Sequence, residues 1–373
     1  MELNLLDLLL YLFVAFAAVQ VIYWLFYLIG IIRIKAVATD DKINPPPISV
    51  LVAAHNELDN LKVLIPALIE QDHPDYEVVI VDDRSTDDSY DFLIEQEQAH
   101  SKLKVVHIND LPSHISGKKY ALTIGIKAAR NKQVLLTDAD CIPATTSWVS
   151  QMAAGFKNRT DLVLGFSNYK KLPGLLNYLI RFETLKTGTE YLASAGNNLP
   201  FMGVGRNLAY KKDLFLENKG FFGYQQVIGG DDDLFVNKHA KARNTTCAIG
   251  KEALTVSNPK TTWRSYWHQK IRHTYVGKYY SAKSKLGLAL FNLSWIFTWI
   301  LGITGLALNV NHEWIIYSLA IREILVIITF IIVTKKAGIA FEFWGLVFID
   351  LLYSIYYIFV GIKALTTKTI TWR

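Results

Sequence analysis

The chain has 373 residues, 51 % hydrophobic and 19 % charged, with a mean hydropathy of +0.21. That mixture argues against a wholly soluble protein and against one confined to a bilayer; it suits a soluble domain joined to membrane segments. The net charge of +6 fits nucleic acid or an anionic membrane surface, and two cysteines, Cys141 and Cys247, exclude a disulfide framework and suit a reducing cytoplasm.

Leu5 to Ile32 carries one charge, Asp7, and is longer than the roughly 20 apolar residues that span a bilayer. No Lys or Arg precedes it, whereas Arg33, Lys35 and Lys42 follow. The positive-inside rule then places the N-terminus outside and the next domain in the cytoplasm. Ala36-Val37-Ala38 has the look of a signal-peptide cleavage site, but the basic start and short apolar core of a signal peptide are missing. Residues 1–43 are therefore expected to be a transmembrane anchor.

Asn44-Pro45-Pro46-Pro47 reads as a stiff linker. Ile48–Ala54 is apolar and β-branched, the pattern of a buried strand, and His55-Asn56-Glu57 opens a helical run to about Gln71. Tyr76–Val81 is the next strand, ending in Asp82-Asp83-Arg84-Ser85, where Ser85 and Asp88 suit a helix start. Leu103–Ile108 is a third strand, Gly117–Arg130 a helix and Val134–Thr137 a fourth strand. Strands alternating with helices predict an α/β domain with a mostly parallel sheet and helices on both faces. Ligands of such sheets bind beyond the carboxyl ends of the strands, so Asp82, Asp83, Asp138 and Asp140 should converge on one edge. Two carboxylates so close together repel unless a cation lies between them, and Mg2+ or Mn2+ prefers oxygen ligands. Asp138 and Asp140 thus suit a metal–diphosphate seat.

Phe201–Lys212 has glycines that allow close backbone approach, and Asp231-Asp232-Asp233 suits either a helix start, favoured by the dipole, or a general base. Lys260–Tyr280 mixes bases with aromatics and is expected to lie in a membrane interface; the same mixture can bind single-stranded nucleic acid, a partner disfavoured by the adjacent apolar runs. Three runs follow, about Leu286–Leu308, Trp314–Val333 and Phe341–Ile362, each long enough to span. Lys335 and Lys336 fit a cytoplasmic loop, whereas a tail with Lys363, Lys368 and Arg373 would lie outside if all three span, against the rule. Arg322, Glu323, Glu342 and Asp350 in or beside these runs mark either a polar path or helix-to-helix pairing. No HExxH zinc set and no P-loop is present.

The succession VAAHNE (52–57), VDDRSTDDS (81–89), GKKYAL (117–122) and TDADC (137–141) resembles the nucleotide-sugar half of family 2 glycosyltransferases, which have the GT-A fold. The resemblance covers about Pro47 to Tyr280. It implies a cytoplasmic GT-A domain over 44–258, an interfacial helix over 259–285 and a transmembrane region over 286–373, in an integral protein of the plasma (inner) membrane. It implies a metal-dependent, inverting enzyme that takes a nucleotide-diphosphate sugar and an acceptor that is lipid-linked or a polysaccharide. Ala54 and Glu57 would lie at the nucleoside, Asp83 or Asp82 at the base and ribose, and Lys118 at the phosphates. Asp138 would contact ribose or sugar and share the metal with Asp140. The family's Glu-Asp with Leu three residues on corresponds here to Asp231 and Leu234, so Asp231 would be the base and Asp232 the second choice; Gly230 replaces the glutamate. Gln269 and Arg272 match QxxRW except that His273 stands for Trp; Arg272 would pair with the diphosphate, or the pair with the acceptor. Two alternatives stand: a non-catalytic nucleotide-sugar-binding membrane subunit, and a DxD phosphatase, whose motif belongs on the first strand.

Overall fold

A computed structural model describes residues 4–35, 45–157 and 159–368. Ala36-Val37-Ala38, Lys42, Asn44 and Arg373 lie outside the described residues. Helix α1 is Leu5–Arg33. Then β1 (Ile48–Ala54), α2 (Leu58–Ile69), β2 (Tyr76–Asp83), α3 (Ser89–Ala99), β3 (Leu103–Ile108), α4 (Gly117–Ala128) and β4 (Gln133–Asp138) alternate as the residue pattern requires. β5 (Cys141–Pro143), α5 (Trp148–Ala153), β6 (Leu162–Leu164), β7 (Phe166–Tyr169) and the long α6 (Leu175–Gly196) follow. The domain closes with β8 (Leu208–Lys211), α7 (Lys212–Glu217), α8 (Asp233–His239), β9 (Thr245–Cys247) and β10 (Leu254–Ser257). Helices α9 (Trp263–Val276), α10 (Ala282–Ala307), α11 (His312–Ala337) and α12 (Leu346–Thr366) follow.

The main sheet has the order β3-β2-β1-β4-β8-β6-β9, parallel across its first four strands. β8 is antiparallel to both β4 and β6, and β9 runs parallel to β6. A second sheet, β5-β10-β7, stands beside it. β2 is buried throughout and β1 nearly so, because helices cover both faces; this is why these strands read as continuous apolar runs rather than alternating ones.

Among the described residues, four helices, α1, α10, α11 and α12, are long and apolar enough to cross a membrane. The third C-terminal run starts later than its composition suggests, at Leu346, because residues 341–345 form a connection in which Glu342 pairs with Arg181 (2.6 Å) and Lys171. Inside the bundle, Arg322 of α11 pairs with Asp350 of α12 (2.5 Å) and with Glu323, and Asp350 accepts from Trp299 (2.7 Å) and Trp295 (3.1 Å) of α10. The charges within the apolar runs therefore tie three helices together.

Helix α6 joins the two halves of the molecule. A Cβ on Gly30 of α1 would stand 2.1 Å from the Ala193 carbonyl oxygen, and one on Gly196 would stand 2.2 Å from that of Gly30. Only glycine lets the α1 and α6 backbones meet this closely.

Candidate active site

A cavity of about 800 Å³ opens beyond the carboxyl ends of β1, β2 and β4, the place where parallel sheets hold ligands. Ala54 and Glu57 line it, at the end of β1 and in the turn after it. That turn is braced across the edge: the Asn56 Oδ1 accepts from Thr86 N (2.7 Å), and His55 Nδ1 donates to the Asp83 carbonyl (2.6 Å). Burial and the fields of Asp140 and Asp138 raise the Glu57 carboxyl above its ordinary range, partly offset by the amide of Asn60.

Asp82 and Asp83 are neighbours on one strand, so they face opposite sides. Asp83 lines the cavity and accepts from Arg84 Nε (2.8 Å). Asp82 is fully buried against His107 Nδ1 (2.8 Å) and does not line it. Gly117 starts α4 against Asp83; a Cβ there would stand 2.6 Å from Asp83 Oδ2, which accounts for glycine at the head of GKKYAL.

The first turn of α4 also brings in Lys118. Its Nζ lies 2.7 Å from Asp138 Oδ1 and 3.2 Å from Asp231 Oδ2. Burial opposes that charge, yet Asp138 and Asp231 hold the ammonium well above the usual lysine range. Lys119 donates to the carbonyls of Val227 and Gly229 and so fixes the loop leading to Asp231.

The three aspartates after that loop part company. Asp232 accepts from Gly205 N (2.5 Å) and Asp233 N (2.7 Å), and Asp233 accepts from the Tyr280 hydroxyl (2.8 Å) and Leu234 N (2.7 Å). Asp231 instead meets Lys118. Burial would raise the Asp231 carboxyl, but Lys118 and Lys119 hold it below the ordinary range, so it is ionised near neutrality. Gly230 precedes it at φ +74, where a Cβ would stand 2.6 Å from Leu234 Cδ1; the left-handed turn accounts for glycine where the family has glutamate.

Asp138, Asp140 and Cys141 bring three possible ligand atoms within 4.8 Å of one another. Burial pushes the Cys141 thiol well up, and its Sγ lies 2.8 Å from Ser257 Oγ, so it offers no thiolate. Burial, with Asp138 beside it, raises the Asp140 carboxyl. Two oxygen donors under mutual repulsion, without a thiolate, fit a hard divalent cation. Arg206 is a further cation at the pair: its guanidinium stacks 4.4 Å from the Tyr169 ring centroid, and Nη1 donates to Ser257 Oγ (3.1 Å). Sequence reasoning misses it: the Phe201–Lys212 segment is read for its glycines and as similar to an acceptor-side segment, and neither reading gives its arginine a role.

Gln269 and Arg272 on α9 both line the cavity, as does His273. The neighbouring Lys270 pairs with Glu183 of α6, which also accepts from the Tyr266 hydroxyl (2.6 Å). Beyond this point the cavity continues among the apolar helices, where Lys186 and Glu190 (2.5 Å apart) on α6, Asn292 on α10 and Tyr353 and Tyr357 on α12 line it.

Residues 49–218 match the glycosyl transferase family 2. The likeness to that family covers somewhat less than half of the chain. Over 239 residues the chain is 22 % identical to the probable glycosyltransferase YdaM of Bacillus subtilis (strain 168), covering 61 % of this chain and 54 % of that protein. Over 198 residues it is 24 % identical to the poly(ribitol-phosphate) beta-glucosyltransferase of Bacillus spizizenii, covering 52 % of this chain and 30 % of the relative. The chain thus spans about half or less of these relatives' length. Among solved structures, the mannosyltransferase PcManGT from Pyrobaculum calidifontis, in complex with GDP-Man and Mn2+, superposes with a TM-score of 0.62 at 19 % identity, over 98 % of this chain and 100 % of that one. The chain therefore has the GT-A fold expected from its motifs.

Proposed function

We propose that this chain is a family 2 glycosyltransferase anchored in the inner membrane, with its GT-A domain (44–258) on the cytoplasmic side. It moves a sugar from a nucleoside diphosphate sugar to a lipid-linked or polysaccharide acceptor, with inversion. The observation that carries this reading is the Lys118 ammonium between Asp138 and Asp231, which puts a donor-side carboxylate and a candidate base at one point of one cavity.

Ala54, Glu57 and Asp83 would receive the nucleoside, and Lys118 and Arg272 would face the diphosphate oxygens. Asp138 and Asp140 would hold Mg2+ or Mn2+, which neutralises charge on a departing diphosphate. Asp231 takes the proton of the acceptor hydroxyl, whose oxygen bonds the anomeric carbon from the face opposite the donor oxygen. The carbon–oxygen bond to the diphosphate breaks, and its electron pair leaves with the nucleotide. The continuation of the cavity among α6, α10 and α12 supports an acceptor carried by the membrane, and the poly(ribitol-phosphate) relative supports an envelope polymer or its precursor.

Purified in native-like lipid with Mn2+ or Mg2+, the protein should release nucleoside diphosphate from one donor of a nucleotide-sugar panel. Chelation and Asp140→Ala should each abolish that release. Absence of binding or release with every donor, even with lipid extract as acceptor, overturns the reading.

A further inference from the structure

A second concave site lies at the opposite end of the main-sheet strands, separated from the cavity by the length of α8. Its position follows from the strand register. Lys211 pairs with Gln133, where β4 begins, and Leu162 pairs with both Tyr210 and Thr245, where β6 and β9 begin. The loops at these strand starts, with α7 and the end of α8, enclose an open groove.

Five cations, Arg159, Lys211, Lys238, Lys241 and Arg243, face the groove, against one carboxylate, Asp161. That carboxylate is already paired with Lys211 (2.9 Å). Lys238 donates to the Phe222 carbonyl (3.2 Å), whereas Arg159, Lys241 and Arg243 show no side-chain partner among the described residues. Massed like charges raise the free energy of a fold unless a counter-charge joins them. A separate observation points the same way. His239 also lines the groove, is more than nine-tenths buried, and its Nε2 has no hydrogen-bond partner. Buried polar nitrogens are rarely left unmatched. Burial and the neighbouring Lys238 and Lys241 keep that ring neutral, with its pKa lowered to about 4, so the charge of the groove comes from its lysines and arginines.

We propose that this groove binds a soluble phosphate-bearing anion at a site separate from the donor cavity. Guanidinium forks match phosphate oxygens, and the concave form suits a compact polyanion. None of the described residues of α1, α10, α11 or α12 lines the groove, which favours a soluble anion over a lipid headgroup.

The test uses the full chain in phosphatidylcholine nanodiscs, with tripolyphosphate as the probe and EDTA present, read by calorimetry. Saturable binding is expected. It should weaken at least about tenfold in Lys241→Glu/Arg243→Glu, the loss of one or more charge-assisted contacts, and remain in Lys118→Ala. Arg159→Glu, on a different loop, should weaken it as well. No saturable binding to the wild type overturns the proposal. So does binding that Lys118→Ala removes and the groove variants keep, which would put the anion in the donor cavity. Loss of binding when phosphatidylglycerol replaces phosphatidylcholine would assign the groove to headgroups and also overturn it.

Discussion

Asp231→Asn separates the three neighbouring aspartates by function. The substitution keeps shape and one acceptor oxygen but removes the basic oxygen. A positioned general base contributes about 10²–10⁴-fold in rate, or about 3–5 kcal/mol of barrier. The folding cost should be much smaller. Lys118 keeps its shorter contact to Asp138 (2.7 Å), and the lost contact to Asp231 was the longer one (3.2 Å). With Lys118 30 % exposed, that contact is worth about 1 kcal/mol or less. Asp232→Asn should behave in the opposite way. Asp232 serves two backbone donors, Gly205 N and Asp233 N, and an amide has one oxygen to share between them. Leaving one donor short costs about 1–3 kcal/mol, seen as a lower melting temperature. The assay is nucleoside diphosphate formation at saturating donor, with the donor KM and a melting curve for each variant. Asp231→Asn should lose rate with KM and melting temperature nearly unchanged. An Asp231→Asn variant that keeps most of its rate, while Asp232→Asn loses it without loss of stability, would refute the assignment.

Three further outcomes follow from the packing. Glu183→Ala strands the ammonium of Lys270 in a mostly buried place and should cost about 3 kcal/mol of stability; Lys270→Met added to it should restore part of the loss, read by thermal unfolding. Gly30→Val should reduce the folded fraction on size-exclusion chromatography, because its Cβ would overlap the Ala193 carbonyl and overpacking costs about 1–3 kcal/mol, whereas Gly361→Val, with nothing within 4 Å, should not. His239 titrates about 4 when folded and near 6.5 when not, so the stability held by its neutral ring is complete above pH 6.5 and is lost as the pH falls toward 4. His239→Phe should flatten the dependence of melting temperature on pH in that window.

The parallel strands were legible because their burial on both faces leaves continuous apolar runs ending in carboxylates, as Val134–Asp140 shows. Helix α6 was not. Sixteen of its 22 residues are buried, among them Arg181, Glu183, Lys186 and Glu190, so it has neither an apolar stripe nor an uninterrupted apolar run. Two of its charges find partners that no local pattern records, Glu342 for Arg181 and Lys270 for Glu183. The site was legible where a motif names a residue and illegible where direction decides. Asp82 and Asp83 are alike in sequence, yet strand alternation sends one into the core and the other into the cavity. Likewise, nothing in Asp231-Asp232-Asp233 tells which carboxylates cap backbone and which faces Lys118; the left-handed turn at Gly229 and Gly230 makes that choice.

The crossing of Gly30 and Gly196 has a mechanical result. A catalytic domain hung on a pliable tether could tilt and wander over lipid. Here a helix of that domain lies backbone to backbone against an apolar span, so the domain cannot swing independently of it. Under the proposed membrane anchoring, that crossing would fix the height of Asp231 above the lipid. Acceptors would be sorted by reach as well as by chemistry: a hydroxyl mounted too near its lipid anchor, or too far from it, would miss the carboxylate however well the sugar fits.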